Sequence, residues 1–381
     1  MVKLTDVCDF QGGSQPPKEE WSFEEQDGYI RMLQIRDFTQ SERVTPEYIK
    51  ISGSTKTCEA DDILIARYGA SLGKILTGLA GAYNVAIMRT IPNETVLTKK
   101  YLYYYLKSPY FQTSILNVGS RAAQAGFNKE DLSKLDINCP SIGEQDNIVQ
   151  ILQKAENVIK NREAELDKLN ELIKARFVEL FGDILTDKNL PLVQLNELAD
   201  IGSSKRIYAN EYVEEGVPFY RSKEIRELGS GLKPSVELFI KPERYDEIKT
   251  KYGVPKVGDI LIAAIGATIG YSWIVNTESP FYYKDGNLII LSIKKDVNPI
   301  FLNHTLGILI EDFKNKGASG SAQLALTIEK LEKMMVVNPD LELQNQFANF
   351  VKQVDKSKVA VQKALNETQT LFDSLMQEYF G

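Results

Sequence analysis

A single histidine, His304, and three widely separated cysteines, Cys8, Cys58 and Cys139, leave this 381-residue chain poor in the residues that most often do chemistry. The cysteines have none of the close Cys/His spacings that a zinc site or a redox pair requires, and they are read as buried reduced thiols. His304 lies in the apolar helical stretch FLNHTLGILI, where a packed or capped imidazole is expected rather than a catalytic one. No G-x-x-x-x-G-K-S/T loop is present, so nucleotide hydrolysis has no phosphate cradle. An enzyme that methylates exocyclic amines needs a Gly-rich cofactor loop and an Asn/Asp-Pro-Pro-aromatic site. Ser279-Pro280-Phe281-Tyr282 is the nearest string, and without a second proline it reads as a strand turn. Glu247-Ile-Lys249 resembles half of a metal-dependent nuclease site, but acidic-x-Lys strings are common on solvated surfaces. No catalytic residue and no metal site are therefore assigned, and the chain is not expected to be an enzyme. No run of about 18 apolar residues could cross a bilayer. The opening MVKLTDVCDF has neither signal-peptide nor transit-peptide character, so a cytoplasmic protein without membrane partners is expected.

Excess positive charge is also missing. The net charge of -7 argues against nucleic acid at first sight, because affinity for phosphate comes from Lys and Arg. Its distribution weakens that objection. Residues 144–183 hold six basic and nine acidic side chains and residues 340–381 hold four and six, which together supply five of the seven excess negative charges. The remainder is near neutral and can concentrate bases on one face.

What the sequence does have is an internal duplication. VKL at 2–4 returns as VQL at 193–195, and DILIARYGASLG at 62–73 returns as DILIAAIGATIG at 259–270. Asn84 and Asn287 each precede an apolar run. YLYYYL at 101–106 answers FLNHTL at 301–306, AQAGFNKEDLSKL at 123–135 answers AQLALTIEKLEKM at 322–334, and Pro140 answers Pro339. From Ala123/Ala322 onward the offset is fixed at 199, so insertions fall within the first part of each unit. That first part is rich in β-branched and aromatic residues broken by Gly and Pro. DILIA and the runs after the two asparagines read as buried strands, and YLYYYLKSPYFQ has helical spacing. Each unit is read as a mixed α/β (α+β) lobe.

The tail of each unit differs. Ser141-Ile-Gly-Glu144 is a capping box, and the apolar residues Ile148, Leu152, Ala155, Ile159, Leu166, Leu169, Ile173 and Leu180 follow in steps of three and four. This heptad seam of about 38 residues spans roughly 57 Å as a helix. The second tail repeats the phase at Phe347, Val351, Val354, Val361, Leu365, Phe372, Leu375 and Tyr379. Asp340 is a candidate cap, but Leu343 stands where Glu144 closes the first box. Arg162 interrupts the first seam and Lys358 the second, so each helix alone is marginal and pairing buries both stripes. One helix leads from the first lobe to the second and the other leads back, so an antiparallel coiled-coil pair is predicted. The resulting division is 1–140, first lobe; 141–183, first long helix; 184–339, second lobe; and 340–381, second long helix.

Lobe, long helix, lobe, long helix is the layout of type I restriction-modification specificity subunits, and the chain resembles that family from end to end. The resemblance rests on the openings VKLTDVCDF and VQLNELADI and on GDILIAAIG at 258–266 with its copy ADDILIARYG. It also rests on the Ala-Gln stretches around Gln124 and Gln323, the Pro140-x-x-x-Glu144-Gln145 helix start, and FGD at 181–183. The second helix start departs from the pattern, with Leu343-Gln344 in place of Glu-Gln. The resemblance implies two target recognition domains, each reading one half of a bipartite double-stranded DNA site. It further implies that the helices act as a spacer and as a docking surface for two methyltransferase subunits. S-adenosylmethionine would bind those subunits, and ATP and Mg the restriction/translocase subunits. No cofactor belongs on this chain.

Base-specific contact needs forked donors and amides, with other cations on phosphates fixing register. In the first lobe the candidates are Arg36, Arg67, Lys74, Arg121, Gln124 and Asn128, of which Arg67 and Lys74 flank a Gly-containing turn after a predicted strand. In the second they are Ser203, Ser204, Lys205, Arg206, Arg221, Lys223, Arg226, Lys284 and Gln323. A scaffold whose duplicated lobes bind protein or sugar is the alternative. Only the first reading predicts a methyltransferase as the abundant partner.

Overall fold

The computed structural model describes residues 1–381 except 41–42, 120–125, 188–189, 295 and 318–323. The chain forms two compact units, Met1–Glu165 with Val361–Gly381, and Leu166–Ala360. Both long helices are thus divided between units instead of standing as segments of their own. The reason is packing. The start of one helix and the end of the other are built into the same core.

In the first unit the continuous apolar run Leu64–Ala66 becomes a strand buried on both faces. It lies third in an antiparallel sheet of order Cys8–Gly12, Ile87–Pro92, Leu64–Ala66, Ile75–Leu76. A second sheet of five strands runs Trp21–Ser22, Glu47–Lys50, Tyr29–Leu33, Gly81–Tyr83, Thr57–Cys58, with one parallel pairing, Met32 to Ala82 and Leu33 to Tyr83. The aromatic stretch expected to be helical is two helices, Lys99–Lys107 and Pro109–Gly119. Pro109 accounts for the break, since it pushes Ser108 out of helical geometry and suits the first position of a new helix.

The second unit repeats this plan. Its first sheet runs Ala199–Gly202, Leu288–Ile293, Ile260–Ala263, Ser272–Ile274, and its second runs Tyr212–Val213, Phe239–Ile240, Val217–Tyr220, Tyr282–Tyr283, again with one parallel pair, Phe219 to Tyr282 and Tyr220 to Tyr283. The helix Pro242–Tyr252 enters the chain after Phe239–Ile240 and contains Glu247 and Lys249. Glu247 pairs within that helix with Arg244 at 2.7 Å and Lys251 at 3.0 Å, as a solvated surface charge does.

The long helices run Ile142–Phe181 and Leu341–Phe380. Ser141 and Glu144 close the expected box, with the Ser141 amide donating to Glu144 Oε2 at 3.0 Å, and Gly182 ends the first helix at φ 73°. Asp340 receives the amides of Leu343 and Gln344 on its backbone carbonyl. In the first unit Val149 and Leu152 share a core with Met376 and Phe380, and Ile148 and Phe372 pack against it. In the second, Ile173 and Phe177 share a core with Phe347, Val351 and Phe301, and Leu169 packs against it. Start therefore meets end within each unit, as an antiparallel pair requires. Val361 is buried, whereas Leu166 and Leu365 are half-buried. Arg162 and Lys358 meet the interruptions by pairing with Glu165 and Asp355 at the helix surface.

His304 is packed edge-on against Phe347, ring centroids 5.3 Å apart. Burial pushes its pKa down to about 4, opposed by Asp355 and reinforced by Lys358. A neutral imidazole is thus built into the second unit. Below pH 6.5 the unfolded chain binds more protons than the native one, so the stability present above that value is lost as the pH falls toward 4. We expect a loss of about 2 kcal/mol from this group between pH 7 and 4.5. Urea unfolding of His304→Leu at both pH values should lack that share. An identical pH dependence in the variant would refute the assignment.

Candidate nucleic-acid interface

The turn after the central strand is built alike in both units. Leu64–Ala66 leads into Arg67-Tyr68-Gly69-Ala70-Ser71, and Ile260–Ala263 leads into the matching turn at 264–268. Gly69 and Gly266 hold φ of 72° and 69°, with nothing within 4 Å of where a side chain would begin. Both turns therefore carry bare backbone at the surface. Each is anchored by one β-bridge, Tyr68 to Gly126 and Ile265 to Ala325.

The candidate cations fall into two groups. Four are neutralised by a carboxylate. Arg36 pairs with Glu47, and Gln34 donates to the same carboxylate at 2.6 Å. At the matching place in the second unit Arg221 reaches Glu224 at 2.8 Å and Glu237 at 2.9 Å, and Lys223 reaches Glu237 at 2.6 Å. The Lys223 ammonium and the Arg221 guanidinium together hold Glu237 down to about 2. Glu224 is fully buried and also receives the Arg221 amide at 2.8 Å, so this cluster is a helix start as much as a charged surface. Arg206 pairs with Asp285 at 2.8 Å. The second group has no acid partner among the described residues. Arg67 donates through Nε to the Phe127 carbonyl at 3.3 Å and lies 5.1 Å from the Tyr68 ring centroid. Arg226 lies 5.2 Å from the Tyr271 ring centroid, and Lys205 lies 5.3 Å from that of Tyr252. Lys74 is exposed and Lys284 half-buried.

Asn128 accepts the Asp131 amide at 3.0 Å and so caps the helix Lys129–Leu132. The Ser204 hydroxyl is buried and has no hydrogen-bond partner among the described residues, while Ser203 is exposed. Arg121, Gln124 and Gln323 lie outside the described residues.

Two residues quoted from sequence only as part of the helix-start motif have a clear structural role. Gln145 and Gln344 are fully buried at equivalent places in the long helices. Gln145 receives the Thr98 amide at 2.9 Å and donates to the carbonyls of Val96 and Pro140 at 2.7 and 2.9 Å. Gln344 receives the Asn298 amide at 2.9 Å and donates to the Pro339 carbonyl at 2.7 Å. Each ties its long helix to its own lobe. The signal was present in the sequence as a glutamine kept in both copies. On the outer side of the first long helix Ile151, Val158 and Leu172 are 42 %, 42 % and 47 % exposed, at multiples of seven residues.

Cys8 and Cys58 are buried free thiols whose pKa values burial pushes up to about 12 and about 11, which makes them inert. Among the described residues no cluster of His, Cys, Asp or Glu is arranged to hold a metal, and no helix is long and apolar enough to cross a membrane.

Residues 1–171 and 188–369 match the family model described as type I restriction modification DNA specificity domain. The chain is 24 % identical over 97 % of its length to the MjaVIII type I restriction enzyme specificity subunit of Methanocaldococcus jannaschii, covering 91 % of that protein. It is 26 % identical over 67 % of its length to a putative type I restriction enzyme specificity subunit of Haemophilus influenzae, covering 64 % of it. The fold is similar to the S subunit of a type I system from M. genitalium, with a TM-score of 0.56, 18 % identity, and 100 % and 95 % of the two chains covered. A chain from a structure describing complex assembly and conformational transition of the type I R-M system gives a TM-score of 0.61 at 17 % identity, with 100 % and 96 % covered.

Proposed function

Since the chain belongs to the type I restriction modification DNA specificity family, a family of non-catalytic recognition subunits, we propose that each of its two units reads one half of a bipartite double-stranded DNA target and that its long helices dock two methyltransferase subunits. The observation that carries this reading is the repetition of one surface turn, with the same glycine geometry, on two units whose turn and loop residues differ. A duplicated scaffold with divergent surface loops suits two different half-sites. The apolar residues on the outer side of the first long helix, left out of both cores, suit a protein partner. The methyltransferases would bring S-adenosylmethionine, and restriction/translocase subunits would bring ATP and Mg. The assembly would work in the cytoplasm.

Two outcomes are expected. The purified chain neither methylates nor cuts DNA, and turnover surviving rigorous removal of all partner subunits would contradict this. Leu172→Glu leaves the chain folded by circular dichroism and thermal melting but lowers the amount of methyltransferase recovered with it at least several-fold. Undiminished recovery would show that this side of the helix faces solvent.

A further inference from the structure

Of the eleven arginines among the described residues, eight are held by the carboxylate of a described residue, and Arg43, Arg67 and Arg226 are held by none. Two of these three lie over a tyrosine ring, and both tyrosines belong to the same turn of the duplicated fold. Tyr68 stands near the entry of the turn in the first unit, and Tyr271 stands at its exit in the second, at the position that Lys74 occupies in the first. Both rings are partly open to solvent, Tyr68 at 39 % and Tyr271 at 42 %.

Each stack is held by a close backbone approach that only glycine allows. A Cβ on Gly126 would lie 2.4 Å from the Tyr68 ring, and a Cβ on Gly229 would lie 2.1 Å from the Ser272 carbonyl oxygen. The first glycine seats the ring under Arg67. The second lets the end of the helix Ser222–Gly229 close on the strand next to Tyr271, which brings Arg226 over it. Arg67 is fixed further by its Nε bond to Phe127, and no hydrogen bond from its Nη1 or Nη2 is made to a described residue.

We infer that Arg67 and Arg226 are the guanine-reading residues of the two units, each presenting its guanidinium to one G·C pair in its own half-site. The inference rests on the DNA-reading function proposed above. A phosphate contact needs only positive charge, which flexible lysines provide. A planar guanidinium held over a ring and kept clear of carboxylates offers the forked edge that matches O6 and N7 of guanine. Its orientation is set before binding, which reduces the ordering cost. Because the stacks sit at opposite ends of the turn, the two units present the fork at different places on their half-sites.

The test is genome-wide mapping of methylated bases in cells that carry the chain with its methyltransferase. Arg67→Ala is expected to relax one G·C position of one half-site, with discrimination at that base pair falling roughly 5- to 150-fold, and Arg226→Ala to do the same in the other half-site. All other positions keep their preferences. Arg67→Lys and Arg226→Lys keep the cation but not the fork, and they too must lose discrimination at the same positions, which covers the case of an alanine variant that fails to assemble. A uniform drop at all sequences, with the salt dependence of binding reduced by about one charge, identifies a phosphate contact and overturns the inference. So does a wild-type bipartite motif that these variants leave unchanged, or a half-site without a G·C pair, and in those cases the DNA-reading function stands. Methylation by the wild-type complex without any sequence motif overturns that function as well.

Discussion

Gln145→Leu and Gln344→Leu are each expected to destabilise the unit that contains them by roughly 2–6 kcal/mol. Leucine fills similar space, so the effect comes from hydrogen bonding and not from a cavity. In the first unit the Thr98 amide and the carbonyls of Val96 and Pro140 lose the fully buried side chain that pairs with them. In the second, the Asn298 amide and the Pro339 carbonyl lose theirs. A buried backbone group left unpaired costs about 1–3 kcal/mol, and two or three are exposed to that cost here. The glutamate variants refine the argument. Gln145→Glu keeps an acceptor for Thr98 but sets a carboxylate against two carbonyl oxygens, so it is expected to unfold at lower urea at pH 7 and to recover partly at pH 5, where a protonated carboxyl again donates. Equilibrium urea unfolding of the full chain measures both. A leucine variant as stable as the parent would show that these amides are satisfied by rearrangement.

These glutamines also show how much the sequence disclosed. The duplication, the mixed α/β lobes, the two long helices and their antiparallel pairing were legible because each is written in order and period, which one chain displays directly. The helix start was less legible. In the sequence Glu144 completes a capping box with Ser141, and Leu343 breaks that pattern in the second copy. The structure shows that Glu144 serves an exposed cap, while the adjacent glutamine, present in both copies, makes the buried connection. Period alone could not rank them, since burial depends on what the lobe places opposite. The seam shifted for the same reason. Val149, Phe177 and Phe181 are buried although the heptad pattern passed over them, because each helix packs on a lobe as well as on its partner, and the apolar stripe is wider than a two-helix seam. The DNA-reading candidates were the least legible. Arg36, Arg206, Arg221 and Lys223 looked equivalent to Arg67 in sequence, and only the fold reveals which cations already have a carboxylate.

Replacing residues 1–140 with the matching segment of a relative is expected to change one half-site completely and to leave the other half-site and the number of unread base pairs as they were. Within the proposed function the spacing belongs to the helices, and the lobe that is exchanged carries only its own reading surface. The cut at Pro140 precedes the Ser141 cap, so the first long helix is left whole. The structure adds a condition that the sequence did not suggest. The first unit also contains residues 142–165 and 361–381, so the incoming lobe must fit parts of both helices. It has to supply an amide and carbonyls for Gln145, as Thr98, Val96 and Pro140 do. It also has to supply partners for Glu156, which accepts from Tyr104 at 3.0 Å and from Lys107 at 3.1 Å, and an aromatic surface for Phe380, which lies 5.0 Å from the Tyr101 ring. A donor that keeps these side chains should give an assembled, active chimera, and one that lacks them should fail at folding before DNA is involved. Mapping methylated bases in cells carrying the chimera reads the outcome. A folded, methylating chimera with both half-sites altered, or with a changed spacing, would show that the two units do not read DNA independently.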